Sequence, residues 1–309
     1  MKPHMPFITG VLLACLAALH VTAVPKVVPT RADVSYGPHP HQLLDVYLPP
    51  EGGGPFPVLL WYGGVFGQAR KNVIDVNKMF PAHCAVISVE TRSLDDSTAA
   101  GVNPPISWVL LDARRAVQFV RLHATEWNLL PERIAVGGGS QGTLPALYVA
   151  CAGDRVDPKS SDPVERVSTK VVCVAAWRSQ PSLDPKRMQE WVPGVEWGSG
   201  TLALHMGFAE PLKMRDELLP VLAQWSPDYL LNKDTPPIYF ENNWGIPKPN
   251  DPAVTEKEWR VHSPLWGLGF QKLARQYGVT CHVKYPDHPT EHYKDIWDFV
   301  VQHLQIPLH

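Results

Sequence analysis

The sequence predicts an α/β fold with a mainly parallel central sheet flanked by helices. Short apolar segments typical of strands alternate with longer segments whose apolar residues recur at helical spacing. The chain has 309 residues, of which 45% are hydrophobic, so it is long enough to bury one large core. Its 32 prolines and 22 glycines show no internal repeat and indicate rigid loops. We therefore predict one domain over residues 24–309.

Charge composition limits the possible partners. The chain has 28 basic and 30 acidic residues, a formal net charge of -2, and no long block of either sign. This pattern argues against nucleic acid and anionic membrane surfaces as partners.

Residues 1–23 have the pattern of an export signal. Lys2 precedes an apolar run from Phe7 to Val21, and small residues follow this run. The run has about fifteen residues, fewer than the ~20 that a membrane-spanning helix needs. A lipoprotein signal ending at Cys15 is the weaker alternative, because further apolar residues follow this cysteine. We predict a secreted or periplasmic protein without a membrane anchor.

The order of elements follows from apolar periodicity. A helix is predicted at 107–125, because Val109, Ala113, Ala116 and Val120 recur at helical spacing, and further helices at 263–277 and 293–304. The stretch 178–233 has helical patterns and no segment typical of a strand. It is either a lid that shapes a substrate cleft or an ordinary helical insertion. Seven segments have strand character: 43–49, 57–63, 84–90, 133–137, 170–177, 236–242 and 281–286.

Four cysteines follow the signal: Cys84, Cys151, Cys173 and Cys281. Three of them lie in apolar strand-like runs, so buried free thiols and disulfides both stay open. None has a neighbour at CxxC spacing, and we predict no metal or redox role for them.

A glycine-rich turn lies between the strand near residue 134 and the segment that follows it, in IAVGGGSQGTLPALYVA, residues 134–150. Gly137, Gly139 and Gly142 fit the G-x-G-x-x-G pattern of dinucleotide-binding folds. That pattern belongs to the first strand of its fold and is followed by an acidic residue at the end of the next strand, whereas here several strands precede it and the next one ends in Trp177. A phosphate-binding loop is excluded because Thr143 stands in place of its lysine.

The same turn also reads as G-x-S-x-G, with Gly138, Ser140 and Gly142. In this motif a serine nucleophile stands at a sharp strand-to-helix turn, and side chains at the flanking glycines would collide with the strand or helix. The N-terminus of the following helix adds N–H groups that stabilise an oxyanion. The motif predicts acyl transfer with Ser140 as nucleophile.

Longer stretches around this motif resemble the α/β-hydrolase family, in particular exported esterases of the feruloyl and acetyl-xylan esterase type. The stretch GPHPHQLLDVYLPP is similar to their opening hairpin, and FPVLLWYGGVFG resembles the strand before their oxyanion loop. The stretch LLDARRAVQFVRLHATEWNLLPERIAVGGGSQG resembles the helix that leads into the elbow, and SPDYLLNKDTPPIYF the approach to the acid-bearing strand. The resemblance implies an α/β-hydrolase fold over nearly all of the mature chain.

The family order Ser, Asp or Glu, His implies where the other triad members lie. The base follows the last strand, where His288 is preferred because it is close to the strand end, and His292 is the alternative. For the acid, Asp251 is preferred and Glu241 is the rival at the strand end. A turn residue before Pro252 is the structural alternative for Asp251.

The family's oxyanion loop carries His-Gly-Gly-Gly, whereas this chain has Tyr62-Gly63-Gly64-Val65. The donors in that loop are backbone N–H groups, so the resemblance implies that Gly64 or Val65 acts together with the N–H of Gln141. Pro145 lacks a backbone donor and predicts an irregular first turn in the following helix.

Together these features predict an exported serine carboxylic ester hydrolase that works through a Ser-His-Asp triad and an acyl-enzyme, without metal or organic cofactor. The resemblance implies acetyl or feruloyl esters on polysaccharide as substrates. A serine peptidase of the same fold and a non-catalytic glycan-binding scaffold stay open as alternatives. The sequence makes no prediction of oligomeric state.

Overall fold

The computed structural model describes residues 27–65, 71, 75–196 and 209–305, so the predicted export signal lies outside the described residues. A single eight-stranded sheet forms the centre. All seven predicted strands are confirmed. The strands are β1 (Arg31–Ser35), β2 (Leu43–Tyr47), β3 (Phe56–Tyr62), β4 (Ala85–Val89), β5 (Leu129–Gly139), β6 (Val174–Trp177), β7 (Ile238–Glu241) and β8 (Cys281–Lys284).

The strand order in the sheet is β1-β2-β4-β3-β5-β6-β7-β8. The strands β1 and β2 form an antiparallel hairpin and β2 runs antiparallel to β4, while all other neighbours are parallel. Parallel neighbours need crossover connections, and helices supply most of them here. This is the α/β-hydrolase fold that the sequence predicts.

Helices cover both faces of the sheet. The predicted helices at 107–125, 263–277 and 293–304 are confirmed with slightly different ends. The helices are α1 (Leu94–Ala99), α2 (Ile106–His123), α3 (Thr143–Cys151), α4 (Pro185–Trp191), α5 (Ala209–Lys213), α6 (Arg215–Trp225), α7 (Pro227–Leu230), α8 (Glu256–Val261), α9 (Leu265–Gln276) and α10 (Ile296–Gln305).

The core has two main parts because side chains of a strand alternate between the two faces of the sheet. On one face, α2, α3 and α9 pack over strand residues such as Leu60, Val136 and Phe240. On the other face, α10 packs over residues such as Leu59 and Tyr239. The carboxyl ends of the parallel strands therefore lie along one edge of the sheet, and the functional site lies at this edge.

The stretch 178–233 contains α4 to α7 and no strand in its described part. Leu222 and Trp225 of α6 pack against Leu110 of α2 and Tyr148 of α3. Residues 197–208 lie outside the described residues, and a lid role for this stretch stays a prediction.

The four cysteines are free thiols. Cys84, Cys151 and Cys173 are buried and Cys281 is half-buried. Among the described helices, none combines the length and the apolar character needed to cross a membrane.

Candidate functional site

The glycine-rich turn forms the sharp elbow that its motif predicts. Ser140 follows the last residue of β5 and has a φ of 51°, a left-handed conformation that L-residues rarely adopt. A Cβ atom on Gly138 would come within 2.2 Å of the Gly142 carbonyl oxygen, and one on Gly142 within 2.0 Å of the Tyr62 carbonyl oxygen. Gly139 would accept a Cβ at ordinary contact distance, 3.7 Å from Trp177. The two motif glycines are therefore sterically required.

Side chains after the elbow hold its backbone. The Thr143 hydroxyl donates to the Ser140 carbonyl at 2.7 Å and accepts from the Ser179 hydroxyl at 2.8 Å. Residues Ser140–Gly142 form a 3-10 turn before α3 begins at Thr143. Pro145 is the third residue of α3. The N–H groups of the first helical turn have no acceptor within the helix, so the N–H that proline lacks removes no helical bond. The 3-10 segment precedes α3 and does not contain Pro145, so the irregularity predicted for the first turn of the helix is not what the structure shows.

The Ser140 hydroxyl contacts a histidine that the sequence did not single out. Ser140 Oγ lies 2.8 Å from His262 Nε2, within the hydrogen-bond range that a nucleophile and its general base require. His262 caps the C-terminus of α8 and is half-buried. In this orientation the imidazole can accept the hydroxyl proton.

Three hydrogen bonds fix the backbone around His262. The Asn242 amide, just after β7, donates to the His262 carbonyl at 2.5 Å. The Gln180 amide donates to the Val261 carbonyl at 2.6 Å, and the Trp266 indole to the Arg260 carbonyl at 2.9 Å. These bonds tie the end of α8 to the carboxyl edge of β6 and β7.

The start of α8 is also fixed. Thr255 and Glu258 form a capping box in which each side chain bonds the other's backbone N–H. The indole of Trp259 donates to the Gly245 carbonyl at 3.0 Å. A helix anchored at both ends holds its terminal histidine in a defined position.

The electrostatics keep His262 neutral. Burial and, secondly, the positive charge of Arg178 lower the pKa of His262 to about 4, against the opposing influence of the Glu258 carbonyl and carboxylate. Its Nδ1 is buried and has no hydrogen-bond partner among the described residues. Within the described residues the elbow thus presents a serine-histidine pair, and no described carboxylate bonds the second ring nitrogen of the histidine.

Neither predicted histidine contacts Ser140. The Nδ1 atom of His288 lies 3.1 Å from the Val283 carbonyl, and its ring stacks on Tyr285 at 4.7 Å. His292 is exposed, with its ring 6.2 Å from that of His282. Ser140 Oγ therefore meets His262, and not His288 or His292, because the loop after β8 folds back on its own strand while α8 reaches the elbow.

The two predicted acids also have other partners. The Asp251 carboxylate is exposed and accepts from the Ala253 N–H at 2.9 Å, which is the turn arrangement that was its structural alternative. Glu241 accepts from the Ile296 N–H at 2.6 Å, at the start of α10, and from Lys284 Nζ at 3.1 Å. Neither carboxylate forms a hydrogen bond with a histidine in the described part of the chain.

The predicted oxyanion donors lie beside the nucleophile. The Val65 N–H points at the Gln141 side-chain oxygen, 3.4 Å away, and a Cβ on Gly64 would meet the same oxygen at 3.3 Å. Tyr62, in place of the family's histidine, is buried and donates to the Ala113 carbonyl at 2.8 Å. The loop therefore has its own support on α2, while the Val65 N–H faces the side chain of the residue after Ser140.

A separate group of side chains could hold a metal ion. His39, His41 and Asp96 each offer a ligand atom within 4.8 Å of the other two. Asp96 is already bonded to His41 Nδ1 at 2.8 Å and to the Ser93 N–H at 2.7 Å, where it completes the cap of α1. These bonds give Asp96 a structural role, and we assign no metal to the group.

A family model described as BD-FAE matches residues 44–241. Solved structures with similar folds include an acetyl ester-xyloside bifunctional hydrolase from Caldicellulosiruptor lactoaceticus, 21% identical over 79% of this chain and 76% of that chain, with a TM-score of 0.57. A truncated carbohydrate esterase from gut microbiota is 18% identical over 89% of this chain and 96% of its own, with a TM-score of 0.65. A thermophilic esterase from Thermogutta terrifontis is 17% identical over 78% and 75%, with a TM-score of 0.51.

A search of curated proteins gave no significant match.

Proposed function

The chain belongs to the BD-FAE family, whose members are α/β-hydrolase esterases, and on this premise we propose that it hydrolyses carboxylic esters with Ser140 as nucleophile and His262 as general base. Family membership makes the protein a carboxylic ester hydrolase of the serine type. The observation that carries the residue assignment is the 2.8 Å contact between Ser140 Oγ and His262 Nε2 at the elbow.

The proposed reaction uses each atom of this pair. His262 Nε2 takes the hydroxyl proton while Ser140 Oγ attacks the ester carbonyl carbon, and the carbonyl oxygen becomes an oxyanion. The Val65 N–H donates to the Gln141 side-chain oxygen at 3.4 Å. When the substrate displaces this side chain, the N–H groups of Val65 and Gln141 stabilise the oxyanion. His262 then protonates the departing alcohol, and water hydrolyses the acyl-enzyme by the same steps.

The absence of an acid beside His262 Nδ1, among the described residues, has a kinetic consequence. The imidazolium that forms during turnover is stabilised by the carbonyl and carboxylate of Glu258 and opposed by Arg178. In serine hydrolases, removing the function of the acid lowers kcat by about 10⁴. We therefore expect slow turnover of activated esters compared with a complete triad.

The proposed substrate is an ester carried on carbohydrate. The printed descriptions of two structural neighbours name an acetyl ester-xyloside hydrolase and a carbohydrate esterase. Acetyl and feruloyl groups on polysaccharide are accordingly the first acyl groups to test. Export through residues 1–23, which lie outside the described part of the chain, would bring the enzyme to such polymers.

The test compares four single alanine variants and one double variant with the wild type on 4-nitrophenyl acetate, 4-nitrophenyl butyrate, 4-nitrophenyl ferulate and acetylated xylan. Ser140→Ala and His262→Ala should each lower kcat/KM by about 10³ or more, and the double variant should be no slower, because the two residues act as a unit. His288→Ala and His292→Ala serve as controls and should retain activity. Loss of activity in His292→Ala or His288→Ala, but not in His262→Ala, would contradict the assignment.

A second function is favoured by the unpartnered Nδ1 of His262. A hydrolase scaffold that lacks the acid could bind a glycan without hydrolysing its esters. Wild-type protein that is inactive on all four esters but binds acetylated xylan would support this function, whereas Ser140-dependent hydrolysis would exclude it.

A further inference from the structure

Arg178 occupies the position next to the nucleophile across the sheet. Gly139 of β5 pairs with Trp177 of β6, so Ser140 and Arg178 are the next residues of adjacent parallel strands. Arg178 has a φ of 51°, and its N–H donates to the Glu241 carbonyl at 2.9 Å. A non-glycine residue in this conformation at a strand end is held there by its surroundings and commonly marks a functional position.

The guanidinium of Arg178 belongs to the same site as His262. Its central carbon lies 3.8 Å from the centre of the Trp244 ring, and that ring and the His262 ring form an edge-to-face contact with centroids 5.9 Å apart. Stacking on an indole fixes the plane of a guanidinium and leaves its N–H edge available for bidentate bonds.

The charge of Arg178 has no carboxylate partner in the described part of the chain. Its Nε is buried and forms no hydrogen bond. Burial lowers the pKa of Arg178, and the negative charge of Glu258 opposes this shift. The Glu258 carboxylate already accepts from the Thr255 N–H at 3.1 Å and from the Thr255 hydroxyl at 2.9 Å. A buried donor on a cation is costly unless a ligand bonds to it.

We infer that Arg178 binds a carboxylate carried by the substrate, so the preferred ester has a free carboxylate beside its scissile bond. A planar guanidinium with one buried and two outer nitrogens matches the two oxygens of a carboxylate. The bound anion also offsets the positive charge that opposes protonation of His262. This inference rests on the proposed ester hydrolysis and adds the substrate class. The carboxylate can lie on the alcohol side, as in an acylated uronic acid, or on the acyl side, as in the half-ester of a dicarboxylic acid.

Two matched ester pairs separate these sources. For the alcohol side, 4-acetoxybenzoate is compared with the neutral 4-acetoxybenzamide. For the acyl side, the monophenyl ester of terephthalic acid is compared with the corresponding phenyl ester amide. In each pair the ratio of kcat/KM, carboxylate over amide, is measured for the wild type and for Arg178→Gln. Because both esters meet the same enzyme, any change in His262 basicity cancels in the ratio.

The expected result is that Arg178→Gln lowers this ratio by roughly tenfold or more for one pair, as loss of a charge-assisted hydrogen bond predicts. Arg260→Gln is the control, because Arg260 lies on α8 and pairs with Glu256 at 3.5 Å. Its ratio should equal that of the wild type. Unchanged ratios in Arg178→Gln for both pairs would overturn the inference while ester hydrolysis stands.

A binding measurement keeps the inference testable if no ester is hydrolysed. Titration of Ser140→Ala with benzoate and with benzamide should show tighter binding of benzoate, and the added Arg178→Gln change should remove this preference. That result together with an inactive wild type would support the carboxylate site and refute the proposed function. An inactive wild type with equal binding of benzoate and benzamide would overturn both.

Discussion

Adding one methyl group at Gly142 should disrupt the elbow, whereas the same change at Gly139 should not. In Gly142→Ala the new Cβ would lie 2.0 Å from the Tyr62 carbonyl oxygen, so the two must separate by at least 1 Å to reach the 3.0 Å limit of real contacts. The Cβ atom is fixed to the backbone of Gly142, and the carbonyl belongs to the backbone of Tyr62, which pairs with β4 and β5 in the sheet. Overpacking costs about 1–3 kcal/mol, and a rigid neighbour places this case near 3 kcal/mol.

Gly139→Ala is the matched control. Its Cβ would meet Trp177 at 3.7 Å, and Gly139 has an extended backbone with φ of -110°. The change should alter the free energy of unfolding by about 0.5 kcal/mol or less. Urea unfolding of both variants, followed by circular dichroism, measures the difference. Equal unfolding midpoints for Gly142→Ala and Gly139→Ala would refute the steric account of the motif.

Three further predictions concern the support of the nucleophile and its base. The kcat/KM of the wild type should stay constant down to about pH 4, the pKa of His262, because only the neutral imidazole can accept the proton. Arg178→Gln removes a charge that lowers this pKa, so the fall in kcat/KM should begin at a higher pH. A fall centred near pH 6.5 in both proteins would contradict the assignment of His262. Asn242→Ala removes the bond to the His262 carbonyl and should lower kcat by about tenfold at unchanged KM, measured with 4-nitrophenyl acetate. Tyr62→Phe removes the bond from the Tyr62 hydroxyl to the Ala113 carbonyl, which keeps its helical bond within α2, and should cost about 0.5–1.5 kcal/mol in urea unfolding.

The sheet could be predicted because strand signals are local. Apolar runs such as PVLLWYG place consecutive buried residues in β3, and the same holds for the other predicted strands except β8, in which only Val283 is buried. The strand β1 was missed because RADVS is polar and mostly exposed, as an edge strand of an antiparallel hairpin can be. The short helix α8 was missed as well, although Thr255 and Glu258 form a capping box that sequence reasoning could have found.

The elbow could be predicted for the same reason, since the contacts that exclude a side chain at Gly138 involve residues four positions away. The contact between Ser140 and His262, the proposed base, could not be predicted, because the two residues are 122 positions apart and their contact depends on how the loop after β7 folds. Loops after β7 and after β8 both start at the carboxyl edge, so His262 and His288 were equally able to reach Ser140 by strand order alone.

The partners of Glu241 explain why this carboxylate bonds no histidine among the described residues. Glu241, at the end of β7, bonds the Ile296 N–H and Lys284, so its charge serves the start of α10 instead of a histidine. Arg178 then lies next to Ser140 across the sheet and forms no ion pair with a described carboxylate. A carboxylate at His262 Nδ1 would both orient the imidazole and neutralise this arginine. Because no described carboxylate pairs directly with Arg178 or with His262 Nδ1, an anionic substrate is the ligand whose charge fits the proposed site.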